Sequence, residues 1–317
     1  MTMLVRTMAF LLSCSFGLAA TCLTAADGSP EPIAGIGPVG PIVKLHTDFK
    51  FTEGPAADAQ GNVYFSDIPA SRTYKVDLDG KLSIFRDPSN ATNGMMFNAA
   101  GELVGCEMEG RVTAVSPDGK KVRVLAATYQ GKRFNAPNDL VIDAAGGVYF
   151  TDPHFRAPEP IPQGVTAVYY ISTGGKVSRL IDDLKAPNGV ILSPDEKTLY
   201  VVPSLQEEMM AYAVEAAGKL GKGRELCKLK QPEGKSGTGG DGLTVDSKGN
   251  LYITSGLGLQ VFDPAGKALG IIAIPEQPAN VTFGGADLGT LYVTARTSLY
   301  TVPMEAKGHR FAAGAKK

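Results

Sequence analysis

The chain has 317 residues, with 31 Lys+Arg against 32 Asp+Glu and a formal net charge of −1. No basic run is long enough to neutralise a phosphate backbone, which argues against nucleic acid as a partner. Trp is absent, so no ligand stacks on an indole, while 38 Gly and 21 Pro match an all-β chain rich in turns.

In chain order, residues 1–26 read as an export signal: Arg6 supplies the positive start, residues 8–20 are apolar or small, and Thr24-Ala25-Ala26 offers a cleavage site. The competing reading is an uncleaved anchor. The expectation is an exported protein, periplasmic or secreted, with no membrane attachment once the signal is removed. Residues 27–41, rich in Gly and Pro, read as a linker, residues 42–310 as one folded domain and residues 311–317 as a polar tail. Of the four cysteines, Cys14 and Cys22 lie in the signal, whereas Cys106 and Cys227 fall in different repeats and are expected to be separate buried thiols. No Cys/His cluster has zinc spacing.

From there a single phrase recurs six times: Gly61–Asp67, Gly101–Glu107, Gly146–Asp152, Glu196–Val202, Gly249–Ser255 and Gly289–Ala295, each a turn followed by an apolar strand. Eight or nine residues ahead of each turn stands one polar residue: Glu53, Asn93, Asn138, Asn188, Asp241 and Asn280, at spacings of 40, 45, 50, 53 and 39 residues. A period of this length with several short strands per repeat predicts a six-bladed β-propeller of four-stranded blades. The third repeat shows the plan: 138–143, 148–152, 167–171 and 176–181, with Gly174-Gly175 making the last hairpin. The sixth repeat supplies only three strands, and residues 41–46 ahead of the first have no partner. Adding that segment to the last blade would close the ring and remove both open edges.

The six polar positions are expected to line the central channel. Two carboxylates and four amides form a set of hard oxygen donors, which suits Ca²⁺, Mg²⁺ or Mn²⁺ better than zinc. Glu53 and Asp241 would offset the charge of such an ion, and the carbonyl oxygens of Asn138 and Asn188 would complete the site. The same residues at isolated turns would only cap backbone groups, but a fixed offset repeated in blade after blade calls for another cause.

Here the chain resembles the SMP-30/gluconolactonase/regucalcin family. The matching motifs are Glu53-Gly54-Pro55, residues 132–140 around Asn138, Thr151-Asp152-Pro153, Ala186-Pro187-Asn188-Gly189, Asp241-Gly242-Leu243 and residues 280–285. The likeness spans roughly residues 42–303. It implies a propeller with a divalent cation in its channel, Ca²⁺ ahead of Mg²⁺, Mn²⁺ and Zn²⁺, and hydrolysis of a small-molecule sugar lactone. It also implies that Glu53, Asn188 and Asp241 are metal ligands, that Asn138 binds the ion or the substrate, and that Asp241 is the general acid/base. Two departures bear on the substrate: Ala56-Ala57-Asp58 replaces an aromatic, and His154 stands where a proline is expected.

The expected catalytic residue is therefore Asp241, with Asn93, Arg133 and His154 on the substrate side. His154 is a rival base, with Asp152 orienting it or holding a second ion. The competing functions are a propeller that binds a protein or glycan without catalysis, and a phosphotriesterase-like hydrolase using the same ion.

Overall fold

The computed structural model describes residues 31–311, and they form 27 strands and no helix. The signal at residues 1–26 and residues 312–317 of the expected polar tail lie outside the described residues, and Phe311, expected to open that tail, is instead buried in the domain. Six sheets follow one another in chain order, each with consecutive antiparallel strands, and together they make the six-bladed propeller. The inner strands are Thr52–Ala57, Thr92–Phe97, Leu140–Ile142, Pro187–Leu192, Leu243–Val245 and Pro278–Gly284.

Because each blade is sandwiched between two others, its middle strands are covered on both faces and lose polar alternation. Val148–Asp152 is buried at all five positions, whereas the outer strand Val122–Ala126 is exposed at three of its five. Tyr149, Tyr169, Tyr252, Phe65 and Phe150 are among the largest fully buried side chains. Burial of each contributes about 2 kcal/mol. Cys106 and Cys227 are both buried and unbridged, as expected.

The last blade is closed as the sequence predicts. Val43–His46 pairs antiparallel with Ser298–Pro303, with Val43 opposite Thr301 and Lys44 opposite Tyr300. Glu276, in the loop before this blade, clasps the closure: its carboxylate accepts from Ser298 Oγ (2.7 Å) and Tyr300 OH (2.9 Å) and pairs with Lys44 Nζ (2.9 Å). Partial burial works against its ionised form, but these bonds outweigh it and bring the carboxyl down to about 2.

Three details correct the sequence reading. The fourth blade has five strands, because Lys219–Leu220 folds back onto the long strand Glu208–Ala216. A separate two-stranded ribbon, Thr128–Tyr129 with Lys132–Arg133, sits between the second and third blades. The described part of the expected linker is packed rather than free: Ile36 is buried, Val39 N donates to Pro303 O at 2.9 Å, and Glu305 N donates to Ile36 O at 3.1 Å. An apolar side chain at Ile36 gives the segment a reason to dock that its Gly/Pro content conceals.

Candidate active site in the channel

The polar ring residue stands within two residues of the first residue of every inner strand. In four blades the ladder slips there: the register breaks between Glu53 and Ala56, between Thr92 and Met95, between Pro187 and Val190, and between Pro278 and Asn280. Such a bulge re-aims a side chain that regular pairing would direct onto the sheet face. In the third and fifth blades the ring residue precedes the ladder but is still tied to it, by Asn138 N to Thr151 O (2.8 Å) and Asp241 N to Thr254 O (3.2 Å).

Two repeated side chains fix these loops. The hydroxyl in the strand phrase reaches the next blade: Ser66 Oγ donates to Asn93 O (3.1 Å), Thr151 Oγ1 to Asn188 O (2.6 Å) and Thr254 Oγ1 to Ala279 O (2.8 Å). The acid that ends the phrase fastens the entry of its own blade. Asp67 accepts from Lys50 N (3.0 Å) and Phe51 N (3.1 Å), and Asp152 from Asn135 N and Ala136 N, both at 2.8 Å. Asp152 thus holds the loop that carries Asn138 and neither orients His154 nor faces the channel.

Close packing of neighbouring blades explains the glycine after most ring residues. A Cβ on Gly54, at φ +50°, would lie 1.9 Å from Asn93 O, and one on Gly242 would lie 2.0 Å from Asn280 Cγ. In the third blade the equivalent position is Asp139, which is buried. Sequence reasoning passed over it, although an acid at a position held by glycine in four other blades is a legible departure.

Glu53, Asn93, Asn138, Asn188 and Asp241 line one cavity of about 700 Å³, together with Ser204 and the rim residues Phe155, Arg156 and Lys235. Asn280 differs. It lines a smaller space of about 120 Å³ at the other end of the channel, and its Oδ1 accepts from Val281 N at 2.8 Å. Arg133 does not reach the main cavity: its guanidinium donates to Phe134 O (3.0 Å) and Asn135 O (3.2 Å) and faces a side pocket. His154 packs against Phe155 with ring centroids 5.0 Å apart, and its neighbours Phe155 and Arg156 form the cavity wall instead.

Acid dominates the electrostatics of the floor. Burial, followed by the charge of Asp241, raises the Glu53 carboxyl well above its ordinary value. Burial likewise pushes Asp241 up to about 7, and also Asp139, which lies behind the floor and lines the smaller space with Asn280. Asn188 Nδ2 donates to Asp241 Oδ1 at 2.5 Å and to Ser204 Oγ at 3.0 Å, which fixes both the amide and the carboxylate. Asn93 Oδ1 is buried without a hydrogen-bond partner. No Lys or Arg pairs with Glu53, Asp139 or Asp241 among the described residues. Arg296 favours the ionised form of Asp241 only from beyond ion-pair distance; buried carboxylates with no paired cation, beside an orphaned amide oxygen, are costly alone and fit a hard divalent cation. Among the described residues no three His, Cys, Asp or Glu side chains group as a metal-holding set, so the donors here are mixed, carboxylate and amide.

Comparison with known proteins gives a consistent picture. The model of the SMP-30/Gluconolactonase/LRE-like region matches residues 51–297. A gluconolactonase of Zymomonas mobilis subsp. mobilis is 30% identical over 287 residues, covering 83% of this chain and 81% of the relative. The pentonolactonase XacC of Haloferax volcanii is 27% identical over 256 residues, covering 79% of this chain and 83% of the relative. The solved structure of a gluconolactonase from Xanthomonas campestris superposes with a TM-score of 0.75 at 33% identity, covering 83% of this chain and 89% of that one.

Proposed function

The chain belongs to the SMP-30/gluconolactonase/LRE-like family, and from that premise we propose that its channel site hydrolyses the ring ester of a sugar lactone with the help of a divalent cation. The enzyme is a lactonase. The observation that carries the chemical reading is the meeting of Glu53, Asn138, Asn188 and Asp241 on one cavity floor with no basic side chain within ion-pair distance of its carboxyls.

Glu53, Asn138, Asn188 and Asp241 would hold the cation, with Ca²⁺ first among the candidates because the donors are oxygens of mixed charge. When bound, the cation would polarise the lactone carbonyl and stabilise the oxyanion that develops on it. Asp241 takes the proton of the attacking water as the new C–O bond forms. It then returns that proton to the ring oxygen as the ester bond breaks, leaving a hydroxy acid. Asn188 holds Asp241 Oδ1 in place through Nδ2. The Ser204 hydroxyl and the Asn93 amide line the same wall and are positioned to meet sugar hydroxyls.

The test is a hydrolysis assay of purified protein on gluconolactone and pentonolactones, with and without EDTA. Turnover that EDTA abolishes and Ca²⁺ restores is expected. Full turnover after EDTA treatment would discard the cation, and no turnover of any lactone in metal-loaded protein would discard the activity.

A further inference from the structure

Beside the main cavity lies a second pocket of about 300 Å³, lined by Ala91, Met108, Glu109, Arg133, Arg156 and Pro158. Met108 and Arg156 line both spaces, so the two adjoin across these side chains. Two arginines therefore face a compartment that opens beside the candidate reaction site. Lys235 adds a third cation on the rim of the main cavity. None of the three has a carboxylate partner within ion-pair distance among the described residues. The single acid of the side pocket is Glu109, which is exposed.

Arg133 is held in place. Its Nε and Nη2 donate to Phe134 O and Asn135 O, which leaves its remaining N–H groups for the pocket. Arg156 adopts a left-handed backbone, with φ of 61°. That conformation costs an L-residue about 1 kcal/mol or more and is one glycine would take freely. Arginine suits an oxyanion, because its planar fork gives two parallel charge-assisted bonds to carboxylate or phosphate. The main cavity also has more room than a single hexonolactone ring fills, so a substrate reaching the floor can extend a substituent toward the arginines.

We infer that Arg133 and Arg156 form an anion subsite beside the cavity, and that the preferred substrate is a sugar lactone with an oxyanion, phosphate or carboxylate, at the end remote from the scissile ester. Lys235 contributes longer-range attraction from across the mouth. This inference rests on the lactonase reading for its substrate but not for its anion site.

The experiment compares gluconolactone with its counterparts bearing phosphate or carboxylate at C6, in wild type, Arg156→Ala and Arg156→Lys. Wild type is expected to show a KM roughly tenfold lower for one of the anionic lactones than for the neutral one, a difference of about 1.4 kcal/mol. The phosphate and carboxylate arms identify which anion is meant. In Arg156→Ala the discrimination should collapse, and Arg156→Lys should restore part of it. Equal KM values for neutral and anionic lactones in wild type, or discrimination that survives in Arg156→Ala, would overturn the subsite and leave the lactonase standing. If no lactone is turned over, calorimetric titration with inorganic phosphate decides the subsite alone. Binding that Arg156→Ala removes supports it, and absence of binding in wild type overturns it.

Discussion

The two ends of the channel are built from the same six blades and have opposite characters. At the far end every inner strand turns into the next through a five-residue hairpin, spanning 58–62, 98–102, 143–147, 193–197, 246–250 and 285–289. These hairpins satisfy themselves: Asp58 Oδ1 accepts from Gln60 N and Asn62 N, both at 2.9 Å, and Asp246 Oδ1 from Lys248 N (2.8 Å) and Asn250 N (2.9 Å). The C-terminal segment then covers this end, with Phe311 buried, its ring 4.7 Å from that of His309, and His309 N donating to Val245 O at 3.1 Å. At the near end the corresponding loops between second and third strands range from 256–257 to 153–166. They surround the inner-strand starts, where Glu53, Asn93, Asn138, Asn188 and Asp241 face the cavity. Uniform, closed turns give stability. Irregular loops on a rigid scaffold are free to carry chemistry.

The largest effect expected from breaking this contrast is at the near end. Asp241→Asn keeps an oxygen in the ring but cannot accept a proton. Lactone kcat should fall by about 10² to 10⁴, while the unfolding temperature in saturating Ca²⁺ changes by only a few degrees. Steady-state kinetics alongside calorimetric melting checks both halves, and near-normal turnover would remove Asp241 from the mechanism.

Phe311→Ala probes the other end and should invert the pattern. It removes a buried ring from the plug and is expected to cost about 3 kcal/mol of stability, with kcat/KM on the same lactone unchanged within about twofold. Denaturant melts with matched kinetics decide it. A loss of activity at unchanged stability would mean the far end takes part in the reaction.

A smaller and finer test uses pH. Burial raises the carboxyls of the channel, with Asp139 and Asp241 brought to about 7. For a carboxyl whose folded value is raised, the stabilisation is fully present below its ordinary value near 4 and is lost as pH rises through the folded value. In EDTA the melting temperature should therefore fall between about pH 4 and pH 7, by several degrees for a domain of this size. Saturating Ca²⁺ should flatten that slope, because the cation favours the ionised forms. A melting temperature in EDTA that stays level across this window would show the floor to be unstrained.

How much of this was legible in the sequence follows from the same division. The blade count was readable because the hairpins are uniform, so Gly61–Asp67 and its five counterparts share one phrase. Closure by residues 43–46 was readable because an unpaired strand and an incomplete blade imply each other. The positions facing the channel were readable from their fixed offset. What escaped depends on neighbours distant in the chain. Asp139 looks like half of an Asn-Asp turn until Asn280 and Asp241 are seen beside it. Arg133 lies near the ring in sequence, yet carbonyls of its own loop turn it away to the side pocket. Phe155 and Arg156 belong to the longest of the near-end loops, where no repeat constrains the path. The hydroxyl staples of Ser66, Thr151 and Thr254 were visible as a recurring Ser/Thr in the phrase, but only the structure shows that each reaches the next blade.

The closing strand has a consequence for the birth of the protein. Thr47 and Ser298, 251 residues apart, share a hydroxyl hydrogen bond at 3.0 Å, and the ladder beside them joins the two ends of the domain. Until that last strand emerges from the ribosome, Val43–His46 has no partner and the first blade has no last blade to pack against. Folding should therefore be late, dominated by contacts of high sequence separation, and slow compared with helical chains of equal length. A ribosome-stalled chain ending before residue 298 leaves Val43–His46 unpaired and should be more protease-sensitive than the full-length protein.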